Sequence, residues 1–201
     1  AIQQQQQGKY ELALQTCQRI LSTDPLFEDA HMMLGVIYAQ HQRFDEAREH
    51  FKRVSMLNPS HLGALYNQGL MQLQLGQALE AEETFKRILA RNHQHIPTLN
   101  SLGVLYAQSS QFDKAKECMS VSLSLAPEQP DVFNNLGNCN VELGQLQEAE
   151  SCYRQAEKLA PNFLDPAFNL AKLYAKSARI EESIGKYSWL LQNHPRFTPA
   201  R

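Results

Sequence analysis

Apolar residues recur along this chain as pairs of short helical stripes. Between Glu28 and His61, Ala30, Leu34, Ile37 and Tyr38 are spaced so that they share one face of a helix. Phe44, Ala47, Phe51 and Val54 form a second stripe after a polar break at residues 41–43. The pattern predicts two short helices joined by a turn. Gly35 on the first and Ala47 on the second carry almost no side chain, so the two axes are expected to cross closely. A glycine inside a helix costs about 1 kcal/mol against alanine, and closer packing is the expected compensation. Pro59 lacks an amide donor and disfavours helix at Asn58, which ends one hairpin and leads into the next.

The same pattern returns every 34 residues. That shift aligns Pro25, Pro59, Pro127, Pro161 and Pro195, with His93 breaking the series. It also aligns Gly35, Gly69, Gly103 and Gly137, followed by Ala171, and Ala13, Ala47, Ala81, Ala115 and Ala149, followed by Ser183. A fixed period of this length signals stacked supersecondary units, none of which can bury its apolar face alone.

With Glu28 as position 1, these residues resemble the tetratricopeptide repeat. The family pattern has a large residue at position 4, Leu-Gly at 7 and 8, Tyr at 11, Ala at 20, an aromatic at 24, a small residue at 27 and Pro at 32. The copy at 28–61 supplies Leu34-Gly35, Tyr38, Ala47, Phe51 and Pro59, and departs at His31 and Val54. The copy at 62–95 is the loosest, with Gln68, Gln72 and His93 in place of Leu, Tyr and Pro. The copy at 96–129 keeps Leu102-Gly103, Tyr106, Ala115, Met119 and Pro127; that at 130–163 keeps Phe133, Leu136-Gly137, Ala149, Tyr153, Ala156 and Pro161, with Asn140 for the first Tyr. The copy at 164–197 keeps Leu170, Tyr174, Tyr187 and Pro195. The resemblance implies an all-α fold, an α-solenoid of antiparallel helix-turn-helix repeats wound as a right-handed superhelix. One array is expected over residues 1–201, with a partial repeat at 1–27 and the start of a further one at 198–201.

Register places Ala1 in the middle of a first helix and Gly8 at its turn, with Lys9 to Thr23 as the partner helix. A disordered segment is the alternative for the run Gln3 to Gln7. Both ends read as cut from a longer array. Trp189, the single tryptophan, stands where other copies have Arg53, Arg87, Val121 and Gln155, and either packs locally or docks against something beyond the last hairpin.

A formal charge of −2 with scattered Lys and Arg makes nucleic acid and anionic membrane poor partners. No apolar run is long enough to span a bilayer, so membrane insertion is not expected. Cys17, Cys118, Cys139 and Cys152 show no CxxC spacing; free thiols in a cytoplasmic protein are expected, with a periplasmic location or disulfides as alternatives. His93 and His95 supply only half a metal site, and no cofactor or metal is expected. Glu82-Glu83 and Glu181-Glu182 read as structural, the latter near a helix start where the dipole favours acid. Without a phosphate loop, nucleophile elbow or triad, the chain is not expected to be an enzyme.

The remaining candidate surface is that of the first helices, which the resemblance places on the concave side, with positions 2, 5, 6, 9, 12 and 13 facing in. There the sequence has Tyr66, Asn67 and Gln74, then Asn100, Ser101 and Gln108, then Asn134, Asn135, Asn138 and Glu142, then Phe168, Asn169, Lys172 and Lys176. Asparagine is a mediocre helix former whose amide both donates and accepts, so its recurrence suits binding to the backbone of an extended peptide. Asn67, Asn135 and Asn169 share position 6, which resembles the asparagine ladder of O-linked N-acetylglucosamine transferases. The cationic clamp for acidic C-terminal tails does not carry over, since Asp29, Met32, Gly63, Tyr66, Pro97 and Ser101 stand where cations would be. The expected function is a scaffold that binds a protein or peptide segment in the groove. The alternative is the substrate-recognition arm of a larger glycosyltransferase or sulfotransferase, and self-association through the repeat ends is a third expectation.

Overall fold

The computed structural model describes the backbone of residues 2–194 and the side chains of residues 10–194. Pro195 and the expected start of a further repeat at 198–201 lie outside them, as do the side chains of the glutamine run. Eleven α-helices and no strands are present among the described residues, as the repeat pattern predicts. No helix there is long and apolar enough to cross a membrane.

The chain divides into two compact units, Ala1–His93 and Gln94–Arg201. The first unit contains α1 (Ile2–Thr23), α2 (Glu28–Gln40), α3 (Phe44–Leu57), α4 (Leu62–Gln74) and α5 (Ala78–Leu89). The second contains α6 (Ile96–Gln108), α7 (Phe112–Leu125), α8 (Pro130–Glu142), α9 (Leu146–Leu159), α10 (Asp165–Lys176) and α11 (Ile180–Asn193). In the second unit α6–α7, α8–α9 and α10–α11 pair as hairpins, and the first helix α8 also touches both α6 and α10.

Each hairpin turns in the same way. The last turn of the first helix closes with a backbone amide three residues past the helix end reaching back five residues, as in Gln145 to the Asn140 carbonyl (2.8 Å) and Arg179 to the Tyr174 carbonyl (2.8 Å). This closure requires a left-handed residue just before the donor. Gly76 (φ 73°) and Gly144 (φ 74°) supply it without strain, whereas Gln42, Ser110 and Ala178 adopt φ of 57–59° with a side chain in place.

The turn expected at Gly8 is not there, because α1 runs unbroken from Ile2 to Thr23. The flanking glutamines are good helix formers, so a single glycine, at about 1 kcal/mol, does not end the helix.

The mid-helix glycines face a large side chain, a ring in three cases and Met119 in the fourth, rather than only the small residue on the second helix. A Cβ built on Gly137 would fall 2.5 Å from Cε1 of Tyr153, and one on Gly103 would fall 2.9 Å from Cγ of Met119. Gly35 stands in the same way under Phe51 and Gly69 under Phe85. All four partners are fully buried, so the missing methyl is what lets a large side chain from the second helix fill the hairpin core. Polar side chains then tie successive hairpins, as in Arg48 to Gln77 (3.0 Å) and Lys186 to Glu157 (2.6 Å).

Candidate peptide-binding face

The ring admitted by Gly137 does more than fill space. The Tyr153 hydroxyl donates to Oδ1 of Asn138 on α8 (2.7 Å), and burial pushes its pKa up, so it stays a donor. Asn138 Oδ1 also accepts from Asn169 Nδ2 on α10 (3.2 Å), which donates as well to Asn134 Oδ1 (2.9 Å). This small network fixes two amides on neighbouring first helices. It leaves the Asn138 NH2 group and the Asn169 carbonyl oxygen without a partner among the described residues, one donor and one acceptor, which are the two groups that a peptide unit satisfies.

Two cavities open on this face. One, of about 520 Å³, lies between α8 and α10 and is lined by Asn138, Glu142, Tyr153, Asn169, Lys172 and Lys176. The other, of about 310 Å³, lies between α6 and α8, with Val104, Ala107, Phe112 and Met119 as its apolar wall and Gln108 and Asn135 at its rim. Asn138 and Glu142 line both, so the two adjoin. The Lys172 ammonium stands 5.7 Å from the Phe168 ring centre.

The expected site residues divide accordingly. Gln108, Asn135, Asn138, Asn169 and Lys172 meet at these cavities. Asn134 is buried beneath them, accepting from Asn169. Asn100 is engaged within the fold, donating to Gln129 Oε1 (2.7 Å) and accepting from the Ser122 hydroxyl (2.5 Å). In the first unit Tyr66 is half-buried with its ring 5.9 Å from that of Phe85, Asn67 is half-buried and Gln74 is exposed. The first helix of the 28–61 hairpin exposes the apolar Met33 and Val36 between the polar Asp29 and Gln40.

Other candidates resolve into packing. His95 Nδ1 lies 2.8 Å from the Thr98 hydroxyl at the start of α6. Glu182 pairs with Arg179, which also reaches Glu150 across hairpins. Glu82 is half-buried and pairs with Lys86 rather than lying on an open face. Trp189 is 41% exposed, lies 5.4 Å from the His194 ring and borders a cavity with Tyr174 and Gly185. The four cysteines are unpaired, and burial raises the pKa of each thiol.

One pairing was not foreseen. His31, at the position where the family has a large apolar residue, faces His50 on α3 with Nδ1 to Nδ1 at 2.9 Å. His31 Nε2 lies 3.1 Å from the Pro25 carbonyl, which can only accept; His31 Nδ1 is therefore the lone-pair nitrogen and His50 Nδ1–H the donor. The His50 ring stacks 5.4 Å from Tyr38, and burial, followed by the neighbouring His31, holds its pKa below the usual imidazole range.

Comparisons with known proteins agree with this architecture. No curated protein sequence matches the chain. Among solved structures, MamA (residues 41 to the end) from Desulfovibrio magneticus RS-1 is similar at a TM-score of 0.80 and 14% identity, over 85% of this chain and 97% of that one. The type IV pilus biogenesis factor PilW is similar at 0.80 and 20%, over 98% and 91%. YrrB, described as a TPR protein with an unusual peptide-binding site, is similar at 0.76 and 16%, over 90% and 93%. Family models of the tetratricopeptide repeat match residues 5–69, 63–92, 96–129 and 130–163, and the chain belongs to the tetratricopeptide repeat family.

Proposed function

We propose that this protein is a non-catalytic interaction module that holds an extended segment of a partner protein along the first-helix face of α6, α8 and α10. The observation that carries this reading is the pair of oriented, unpartnered amide groups, Asn138 Nδ2 and Asn169 Oδ1, beside the exposed parts of Asn135 and Gln108. Amides that bond main chain rather than side chains tolerate many sequences, which suits a scaffold. The peptide-binding site reported for the structurally similar YrrB supports the same reading by analogy of fold. Among the described residues the four thiols, buried or partly so, have raised pKa values, and Glu150 and Glu182 are ion-paired with Arg179, none of which favours a nucleophile or acid poised for chemistry.

The test is a titration of the chain with extended peptides, followed through the side-chain amide resonances of Asn135, Asn138 and Asn169. Those resonances should shift on binding, and Asn135→Ala should weaken it by about fivefold, the worth of one hydrogen bond. Peptides that bind while leaving all three resonances in place would remove this face from consideration.

A further inference from the structure

Resting on that reading, we infer that the segment held by residues 94–194 carries an apolar side chain and, three residues away, an acidic one. The two adjoining cavities differ in chemistry. The one between α6 and α8 is walled by Val104, Ala107, Phe112 and Met119 and, at about 310 Å³, accommodates a leucine- or methionine-sized group. The one between α8 and α10 presents two exposed ammonium groups, Lys172 and Lys176, neither of which makes an ion pair among the described residues. Glu142 lines both cavities, so the second holds two positive charges against one negative and keeps a net attraction for a carboxylate.

The spacing follows from packing. Neighbouring helices sit about 10 Å apart, and a chain in the polyproline-II conformation advances about 3.1 Å per residue with about three residues per turn, so moving from one cavity to the next takes about three residues and returns the side chain to the same face. Main-chain groups between the two anchors then pass over Asn138 and Asn169, whose free donor and acceptor they satisfy.

The experiment uses the full chain and end-blocked ten-residue peptides, acetylated and amidated so that no terminal carboxylate is present. Each has an Ala/Ser background with Leu-x-x-Glu, Leu-x-x-Ser, Leu-x-x-Lys or Ala-x-x-Glu at its centre, and binding is read by fluorescence anisotropy. Leu-x-x-Glu should bind about fivefold more tightly than Leu-x-x-Ser, with Leu-x-x-Lys weaker again and the preference falling as salt rises. Lys172→Glu combined with Lys176→Glu should reverse the order of the Glu and Lys peptides. Val104→Asp should bring Leu-x-x-Glu down to the affinity of Ala-x-x-Glu. All three positions are exposed, so the fold should survive. Equal binding of the three Leu peptides, with Asn135→Ala still weakening each, overturns the acidic anchor and leaves the peptide groove standing. Absence of binding by any peptide, with the Asn135, Asn138 and Asn169 resonances unmoved, overturns both.

Discussion

The hairpins α8–α9 and α10–α11 are built to the same plan with opposite choices at three positions. The first has Gly137, Gly144 and Ala149 where the second has Ala171, Ala178 and Ser183. With glycine at the crossing, Tyr153 is 2% exposed and its hydroxyl reaches Asn138 on the binding face. With alanine there, Tyr187 remains half-buried and meets Phe168 edge-on at 5.9 Å. Two differences accompany this contrast, the methyl group at the crossing and the packing of α10 against α9, which α11 has no described helix to match. Ser183 adds a hydroxyl that donates to the Ala171 carbonyl (2.9 Å), a bond that Ala149 has no means to make.

The largest test of this contrast is Gly137→Ala, which should push Tyr153 out of its place and cost about 3 kcal/mol in chemical denaturation, the upper range for overpacking. Restoring most of that loss with Tyr153→Leu in the same chain would confirm that the ring is the obstacle. The reverse change, Ala171→Gly, should lower stability by about 1 kcal/mol through helix propensity while Tyr187 becomes less accessible to a fluorescence quencher. An unchanged Tyr187 would show that something other than the methyl holds it out. At the turns the expected signs are opposite. Gly144→Ala should destabilise by about 1 kcal/mol and Ala178→Gly should stabilise by about 0.5 kcal/mol, part of the gain being offset by the greater freedom of glycine when unfolded. No neighbour lies within 4 Å of a Cβ at Gly144, so the effect there is backbone strain alone. Ser183→Ala should be the mildest, at about 0.5 kcal/mol, read from the shift in denaturation midpoint.

Much of this fold was legible in the spacing of Gly, Ala and Pro. The second helices start at Phe44, Ala78, Phe112, Leu146 and Ile180, one period apart, and the stripes predicted on α2 and α3 are buried except for the half-buried Phe44. The candidate face was legible only in part, since periodicity shows which residues share a helix face and not which of them are already engaged. Asn100 and Asn135 look alike in sequence, yet Gln129 from the loop after α7 takes the first and leaves the second open. Phe112 in the apolar wall was hidden because it falls in the second-helix stripe that pattern alone assigns to packing, whereas Val104 stands at position 9, an inward position where the amides drew the reading instead. The His31–His50 contact left one trace, a histidine at a position meant for a large apolar group, but its partner lies nineteen residues on, on a different helix. Gly8 misled because register alone does not bend a chain.

That imidazole pair also counts protons. Its single shared hydrogen, with the donor fixed by the Pro25 carbonyl, lets His50 take up one more proton at Nε2 while the link survives; a second, on His31, would set two N–H groups against each other. Because burial depresses the His50 pKa, the unfolded chain binds protons first, so this hairpin is firm above about pH 6.5 and loosens as acid is added through the lower folded value. Glu49 on the same helix works mildly in the opposite direction, and α4, packed on the other side of α3, has no charged residue to add. Acidification should therefore slacken α2 against α3 early, and His50→Phe, which keeps the ring and discards the proton site, should flatten the acid limb of the melting curve.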